Sequence, residues 1–287
     1  MTFESDHSRP PATTLETRRP TIALVCVVIG LAIVALLHFT LPDGIAKVLL
    51  DRGGVGYPLS VQNAIWIVFT VGCGELFVRF CVGGAEARQL SQKYLPEDER
   101  TILQASDLGD VYRIVRQNPD AQRCFLPRLI QRAILQFQSS RSIDQASSLL
   151  NTSVEMYLHE VDLRYSMLRY LTWLIPSLGF IGTVVGIGRA LSYAGDPAHI
   201  QDQMLLNEVT RRLAISFDGT FLALVMAALL VFLTNIAQSR EEHALNLAGQ
   251  YCLDNLINRL FVQSSAAKDA NDRLPTTPRS GEKHPAI

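Results

Sequence analysis

Apolar residues gather in four long runs, at residues 22–41, 61–82, 171–191 and 213–236, and charged residues fill the stretches between them. Each run is about 20 residues or slightly longer. At about 1.5 Å of rise per residue, a helix of that length crosses the roughly 30 Å hydrocarbon core of a bilayer. An amphipathic helix of a soluble domain would place a charge in every turn, and these runs do not. The pattern therefore predicts an all-α membrane protein with four transmembrane helices. The few charges inside the runs are Glu75 and Arg79 in the second, Arg189 in the third and Asp218 in the fourth.

Between the second and third runs lies a segment long enough for a helical cytoplasmic subdomain. Leu95-Pro96-Glu97-Asp98-Glu99 has the proline and acids of a first helical turn, and Asn118-Pro119-Asp120 marks a break. From Ser142, residues Ile143, Ala146, Leu150, Val154, Tyr157, Val161, Tyr165 and Leu168 recur at helical steps. They predict one amphipathic helix that enters the third span directly and projects as a rigid stalk. After the fourth span, residues 239–262 again read as helix, with Leu245, Cys252, Leu256 and Leu260 near one stripe. The expected organisation is a disordered cytoplasmic N-terminus (1–20), spans 1 and 2 (21–83), and the subdomain (84–140). The stalk and span 3 (141–192), a periplasmic loop (193–212), span 4 with its cytoplasmic helix (213–262) and a disordered polar tail (263–287) complete it.

Composition agrees with this picture. The chain of 287 residues is 48% hydrophobic and 18% charged, with 26 basic against 27 acidic side chains. That balance argues against nucleic-acid binding, which calls for a basic excess. The first run follows Arg18-Arg19 but lacks a small-x-small cleavage site, so it reads as an uncleaved span rather than a signal peptide. None of the five cysteines forms a CxxC pair, which speaks against a zinc site or disulfide framework. Residues 1–20, 84–170 and 238–287 hold 20 Lys and Arg, whereas the loops at 42–60 and 192–212 hold four. Basic residues stay in the cytoplasm, so both termini and the subdomain are expected there. Spans 1 and 2 do not resemble spans 3 and 4, against an inverted-repeat transporter.

The third and fourth spans carry the chemistry. The third reads Pro176-Ser177-Leu178-Gly179-Phe180-Ile181-Gly182-Thr183-Val184-Val185-Gly186-Ile187-Gly188, with Gly179, Thr183 and Gly186 on one face and Gly182 and Gly186 as a small-xxx-small pair. Such faces let neighbouring helices approach closely in lipid. In the fourth, Ser216, Thr220, Ala223 and Ala227 share a face, and Phe217, Leu224 and Met226 point elsewhere. Each span thus offers a narrow stripe with a mid-membrane threonine. Asp218 lies about 200° around the helix from Thr220. With the two threonines level, Arg189 sits within side-chain reach of Asp218, and the two form a candidate ion pair; the alternative makes Asp218 a proton-relay or sodium-binding carboxylate. Glu75 and Arg79 read as an i,i+4 pair with Arg79 snorkelling, and Arg211 and Arg212 as anchors of span 4. His38 and His159 lack metal-ligand spacing.

Residues 176–188 resemble the third-helix motif of the MotA/TolQ/ExbB proton-channel family, close to P-x-L-G-x-x-G-T-V-x-G, and residues 216–224 resemble its last-span motif. The resemblance covers about residues 140–262; the four-span layout is similar to MotA, the glycine-threonine wording closer to TolQ and ExbB. It implies a homopentamer in the bacterial inner membrane, in contact with lipid and surrounding a single-span MotB/TolR/ExbD-like partner that brings a proton-binding aspartate. It implies that Thr183 and Thr220 are pore threonines; from the residues themselves, Ser216 and Asp218 are further candidates for the ion pathway, and Pro176, Gly179, Gly182 and Gly186 for packing of the pore helices. The function implied is the channel-forming subunit of an ion-driven motor, with no cofactor, metal or enzymatic activity. The alternative is a non-conducting scaffold or signalling protein that keeps the same bundle. No nucleophile–base set or phosphate loop suggests an enzyme.

Overall fold

The computed structural model describes residues 19–51, 60–98, 103–104, 107–117, 124–198 and 203–261. The described chain forms α1 (Arg19–Thr40), α2 (Asp43–Leu50), α3 (Val61–Leu90), α4 (Asp107–Gln117), α5 (Phe125–Ser140), α6 (Ile143–Arg164), α7 (Ser166–Ala194) and α8 (Leu205–Asn255), then a 3-10 turn at Ile257–Arg259. Four stretches are long and apolar enough to cross a membrane: α1, α3, α6 running into α7, and α8 with its terminal turn. The chain is a multi-pass, all-α membrane protein with a helical subdomain between its second and third spans.

Burial changes character along the long helices. Along the apolar runs, large side chains such as Leu24, Val28, Phe180, Phe221 and Phe232 face outward. Beyond them the pattern inverts: Leu108, Phe125, Leu129, Ile134, Phe137, Leu150, Val161 and Leu256 are buried in a core of the ordinary water-soluble kind. The membrane-crossing part of α3 is its apolar portion, 61–82; its last two turns, 83–90, run on into the subdomain. The 51 residues of α8 measure about 75 Å, so this helix serves both the bundle and the subdomain. Leu245, Cys252, Leu256 and Leu260 are all buried, as their stripe predicts.

Three expectations are corrected. First, residues 95–98 are not helical. The Leu95 amide donates to the Tyr251 hydroxyl (3.2 Å), and the Arg259 guanidinium donates to the carbonyls of Pro96 (2.7 Å), Glu97 (3.2 Å) and Asp98 (2.5 Å). Carbonyls held by a cation from the far end of α8 are not available for helical bonds, and the next helix starts at Asp107. Leu103 bridges to the same region, its amide donating to Arg259 O (2.9 Å). Second, the stalk does not run unbroken into the third span, and α6 has neighbours along it. Ala146, Leu150, Ser153, Tyr157 and Val161 are buried, because α5 packs along α6 and α8 lies against both. Its path into α7 is interrupted at Tyr165, whose amide is shared between Val161 O and Asp162 O; Arg169 of α7 staples the break to the Asp162 carboxylate (2.9 Å) and carbonyl (2.9 Å). Third, α8 begins at Leu205, inside the segment expected to be loop.

The short helix α2 was not foreseen. It packs on α8, with Ala46 and Leu50 fully buried, and its last carbonyls accept from Trp66 Nε1 (at Leu49, 3.1 Å) and Ser60 Oγ (at Leu50, 3.3 Å). The expected break at 118–120, the N-terminal segment 1–18 and the tail from 262 lie outside the described residues.

The Arg259 clamp carries a prediction. Arg259→Ala removes charge-assisted bonds to three carbonyls, and each such bond is worth about 1.5–3 kcal/mol before water replaces it. The expected result is a loss of about 1–3 kcal/mol, read as reduced hydrogen-exchange protection of the Leu95 and Leu103 amides, with the spans unaffected.

Candidate functional site

The seam between α7 and α8 is the most extensive helix contact in the fold, and the sequence explains why. Gly179 lies where an added Cβ would come within 2.6 Å of Ala223 Cβ and 3.2 Å of Thr220 Cα. At Gly186 the added Cβ would lie 2.7 Å from Ser216 Cβ and 3.3 Å from Ser216 Cα. The facing numbers fall on α8 as they rise on α7, so the helices are antiparallel, and only glycine permits this approach at both points. Gly182 serves a different neighbour: its open side meets Val61 of α3, at 3.1 Å from the Val61 Cγ1. Pro176 sits inside α7, which continues through it, although proline has no amide to give the Thr172 carbonyl.

Thr183 and Thr220 occupy the seam between the two glycine contacts. Their hydroxyls hydrogen-bond one another. Thr220 Oγ1 also donates to Gly179 O (2.9 Å), and Thr183 Oγ1 lies 3.2 Å from both Gly179 O and Ser216 O. A hydroxyl has one proton and two acceptor sites, so this small network has more acceptors than protons. Ser216 is buried and donates to Arg212 O (2.8 Å). Both threonines are half-buried, so the seam lies open along one flank. The structure thus brings together Gly179, Thr183, Gly186, Ser216 and Thr220. Ala223 and Ala227 join the same buried face, as does Met226, which the helical wheel had pointed elsewhere.

Among the described residues, no ion pair within 4.0 Å joins Arg189 to Asp218. The antiparallel register sets exposed Arg189 about a turn beyond Asp218, and Asp51, at the end of α2, feels the charge of both. Burial raises the Asp51 carboxyl above its ordinary range; Arg189 opposes the rise and Asp218 adds to it. Asp51 went unnoticed in the sequence because it lies outside the runs, on a helix no pattern announced. Gln62 was missed likewise: it is buried, with its amide 3.6 Å from the Cβ position of Gly219.

The remaining charges inside or beside the spans are paired. Arg79 and Glu75 pair at 3.0 Å as expected, but Arg79 is 2% exposed and does not snorkel. Arg211 and Arg212 both bind Glu208 at 2.9 Å, and Arg212 stacks over the Tyr193 ring at 4.1 Å. The cysteines are free thiols, and among the described residues no group of three or more His, Cys, Asp or Glu is arranged to hold a metal.

Fold and seam together define a polytopic helical-bundle membrane protein with a hydroxyl-bearing, glycine-packed contact between its last two spans. Residues 121–248 match the model of the MotA/TolQ/ExbB proton channel family; the match takes in α5, α6, α7 and most of α8, and α1 to α4 lie outside it. No curated protein and no solved structure matches the chain.

Proposed function

We propose that this chain is the channel-forming subunit of an ion-motive-force-driven membrane motor, conducting protons or sodium together with a single-span partner that carries an aspartate. The observation that carries the reading is the Thr183–Thr220 hydroxyl pair, set between two glycine contacts inside the segment that matches the proton-channel family. An isolated charge in hydrocarbon costs several kcal/mol at least, so ion passage needs polar groups along its route. Threonine hydroxyls can hold a water or hydronium beside a partner's carboxylate. Neutralising that carboxylate lets its helix face apolar wall, and ionising it favours the hydroxyl site; alternation between the two drives rotation or tilt. In this reading several copies, five by family resemblance, place their half-open seams around the partner. The basic residues of 84–170 and 238–287 put the subdomain and both termini in the cytoplasm of a bacterial inner-membrane protein.

The test is reconstitution of the chain with a single-span, aspartate-bearing membrane protein, sought first in the adjacent reading frame, followed by ion flux in liposomes. Potential-driven flux through an oligomer supports the reading; a monomer without flux overturns it. A non-conducting scaffold is the second reading, favoured by the acceptance of the threonine hydroxyls by Gly179 and Ser216 carbonyls within one subunit. Flux separates the two.

Asp218→Asn tests the carboxylate. Asp218 shares its surroundings with Asp51 and Arg189 rather than with the threonine pair. The expected result is flux preserved to within about threefold, a change of under ~1 kcal/mol in barrier. Loss of flux with assembly intact would make Asp218 a relay.

A further inference from the structure

One turn past the apolar part of α3, Glu86 is enclosed by the subdomain, 4% exposed. Its Oε2 accepts the Phe125 backbone amide at 2.8 Å, and Phe125 is the first residue of α5. The carboxylate of Glu241 on α8 is fully buried in the same region; its Oε1 binds Arg164 Nη1 at 2.9 Å, and its Oε2 has no hydrogen-bond partner. Arg164 closes α6 and also binds Glu160 at 2.6 Å, while Arg128 of α5 approaches Glu160 at 3.7 Å. Of the two buried carboxylates only Glu241 is paired with a cation, and its partner Arg164 is shared with a third, half-exposed carboxylate; Glu86 feels Arg164 and Arg128 at a distance. Buried like charges without matching cations favour binding of a proton.

We propose that Glu86, with Arg164 and Glu241, forms a proton-binding junction through which the pH on the subdomain side sets how tightly α5 docks onto α3. The groups facing Glu86 are the Phe125 amide and Arg128 from α5, Arg164 from α6 and Glu241 from α8. From α7, Arg169 is engaged by Asp162 and Arg189 lies at the helix's far end; the described charges of α1 and α2, His38 and Asp51, lie toward the other end of α3. Tyr165 faces Glu241, and burial and that carboxylate both hold its phenol protonated. Burial pushes the Glu86 carboxyl up to about 7, against the Phe125 amide and Arg164, with Glu241 adding to the rise.

The sign follows from linkage. A carboxyl that binds its proton more tightly when docked than when released stabilises docking fully below its ordinary range. That contribution falls as pH rises from about 4.5 to about 7 and is lost above it. Protonated, Glu86 still accepts the Phe125 amide through its carbonyl oxygen. Ionised, it places a second buried negative charge near Glu241, which raises the cost of keeping both enclosed.

The experiment is hydrogen exchange on the full chain in nanodiscs between pH 5.5 and 8, corrected for intrinsic rates. It requires no ion flow, so its outcome is independent of the channel reading. Protection over residues 126–137 is expected to fall roughly tenfold to thirtyfold across that range, while Glu86→Gln stays protected and flat. Unchanged protection in the native chain, or a pH dependence that survives Glu86→Gln, overturns the proposal. Should Glu86→Gln not fold, Glu241→Gln decides: with Arg164 freed for Glu86, the midpoint is expected to move to lower pH, and an unmoved midpoint overturns the proposal.

Discussion

Gly186→Val is expected to cost the fold on the order of 3 kcal/mol, at the top of the range for overpacked sites. A side chain at 186 meets Ser216 at its Cβ and Cα. Backbone cannot turn aside as the end of a flexible side chain can, so α7 and α8 must separate. Separation also breaks the bonds from Thr183 to Ser216 O and from Thr220 to Gly179 O. In lipid those hydroxyls and carbonyls find no water to replace them, which adds to the steric cost. Gly188→Ala is the control, two residues on, where an added Cβ meets nothing within 4 Å; it is expected to be neutral or slightly stabilising, since alanine is the better helix former by up to about 1 kcal/mol. The free thiols report the result: Cys26 and Cys252 are buried, so their labelling during thermal unfolding in detergent follows the transition. Equal stability for the two variants would remove the seam from its place at the centre of the bundle.

This contrast marks how far a single sequence can be read. Span number was legible, because hydrocarbon imposes length and apolarity on every crossing helix regardless of its neighbours. The seam was half legible: Gly179, Thr183 and Gly186 share a face by periodicity, but periodicity does not say which helix that face meets, and Gly182, counted with them, turned out to face Val61. Charges were the least legible. Arg189 and Asp218 looked paired on axial height alone, yet among the described residues no ion pair joins them, and Asp51, whose carboxyl feels both charges, follows an eight-residue helix too short to leave a periodic trace. Glu86, Arg164 and Glu241 were missed because nothing local links positions 77 residues apart on separate helices. The 95–98 segment failed for a related reason. Its proline and acids do favour a first turn, but Arg259 holds their carbonyls in another arrangement.

If the seam conducts as proposed, Thr183→Ala combined with Thr220→Ala is expected to abolish ion flux while leaving the protein folded. The argument rests on unequal magnitudes. Removing both members of a hydrogen-bonded pair leaves no orphaned hydroxyl, and the net worth of such bonds is about 1 kcal/mol each. The Gly179 and Ser216 carbonyls each retain a place in their helical ladders. The structural cost is therefore about 1–2 kcal/mol, well below that of Gly186→Val. For conduction the same change removes both hydroxyls from the level at which the two spans meet, and an apolar barrier of several kcal/mol stands in their place. Each 1.4 kcal/mol of barrier is a tenfold loss of rate, so flux should fall by about a thousandfold or more. Thr183→Ser with Thr220→Ser keeps the hydroxyls and is expected to retain most of the flux. Liposome flux together with thiol-labelling stability measures both sides. A double-alanine variant that still conducts would move the ion route away from this seam, and a double-serine variant that fails alongside it would show that the threonine methyl groups, not the hydroxyls, are what the seam requires.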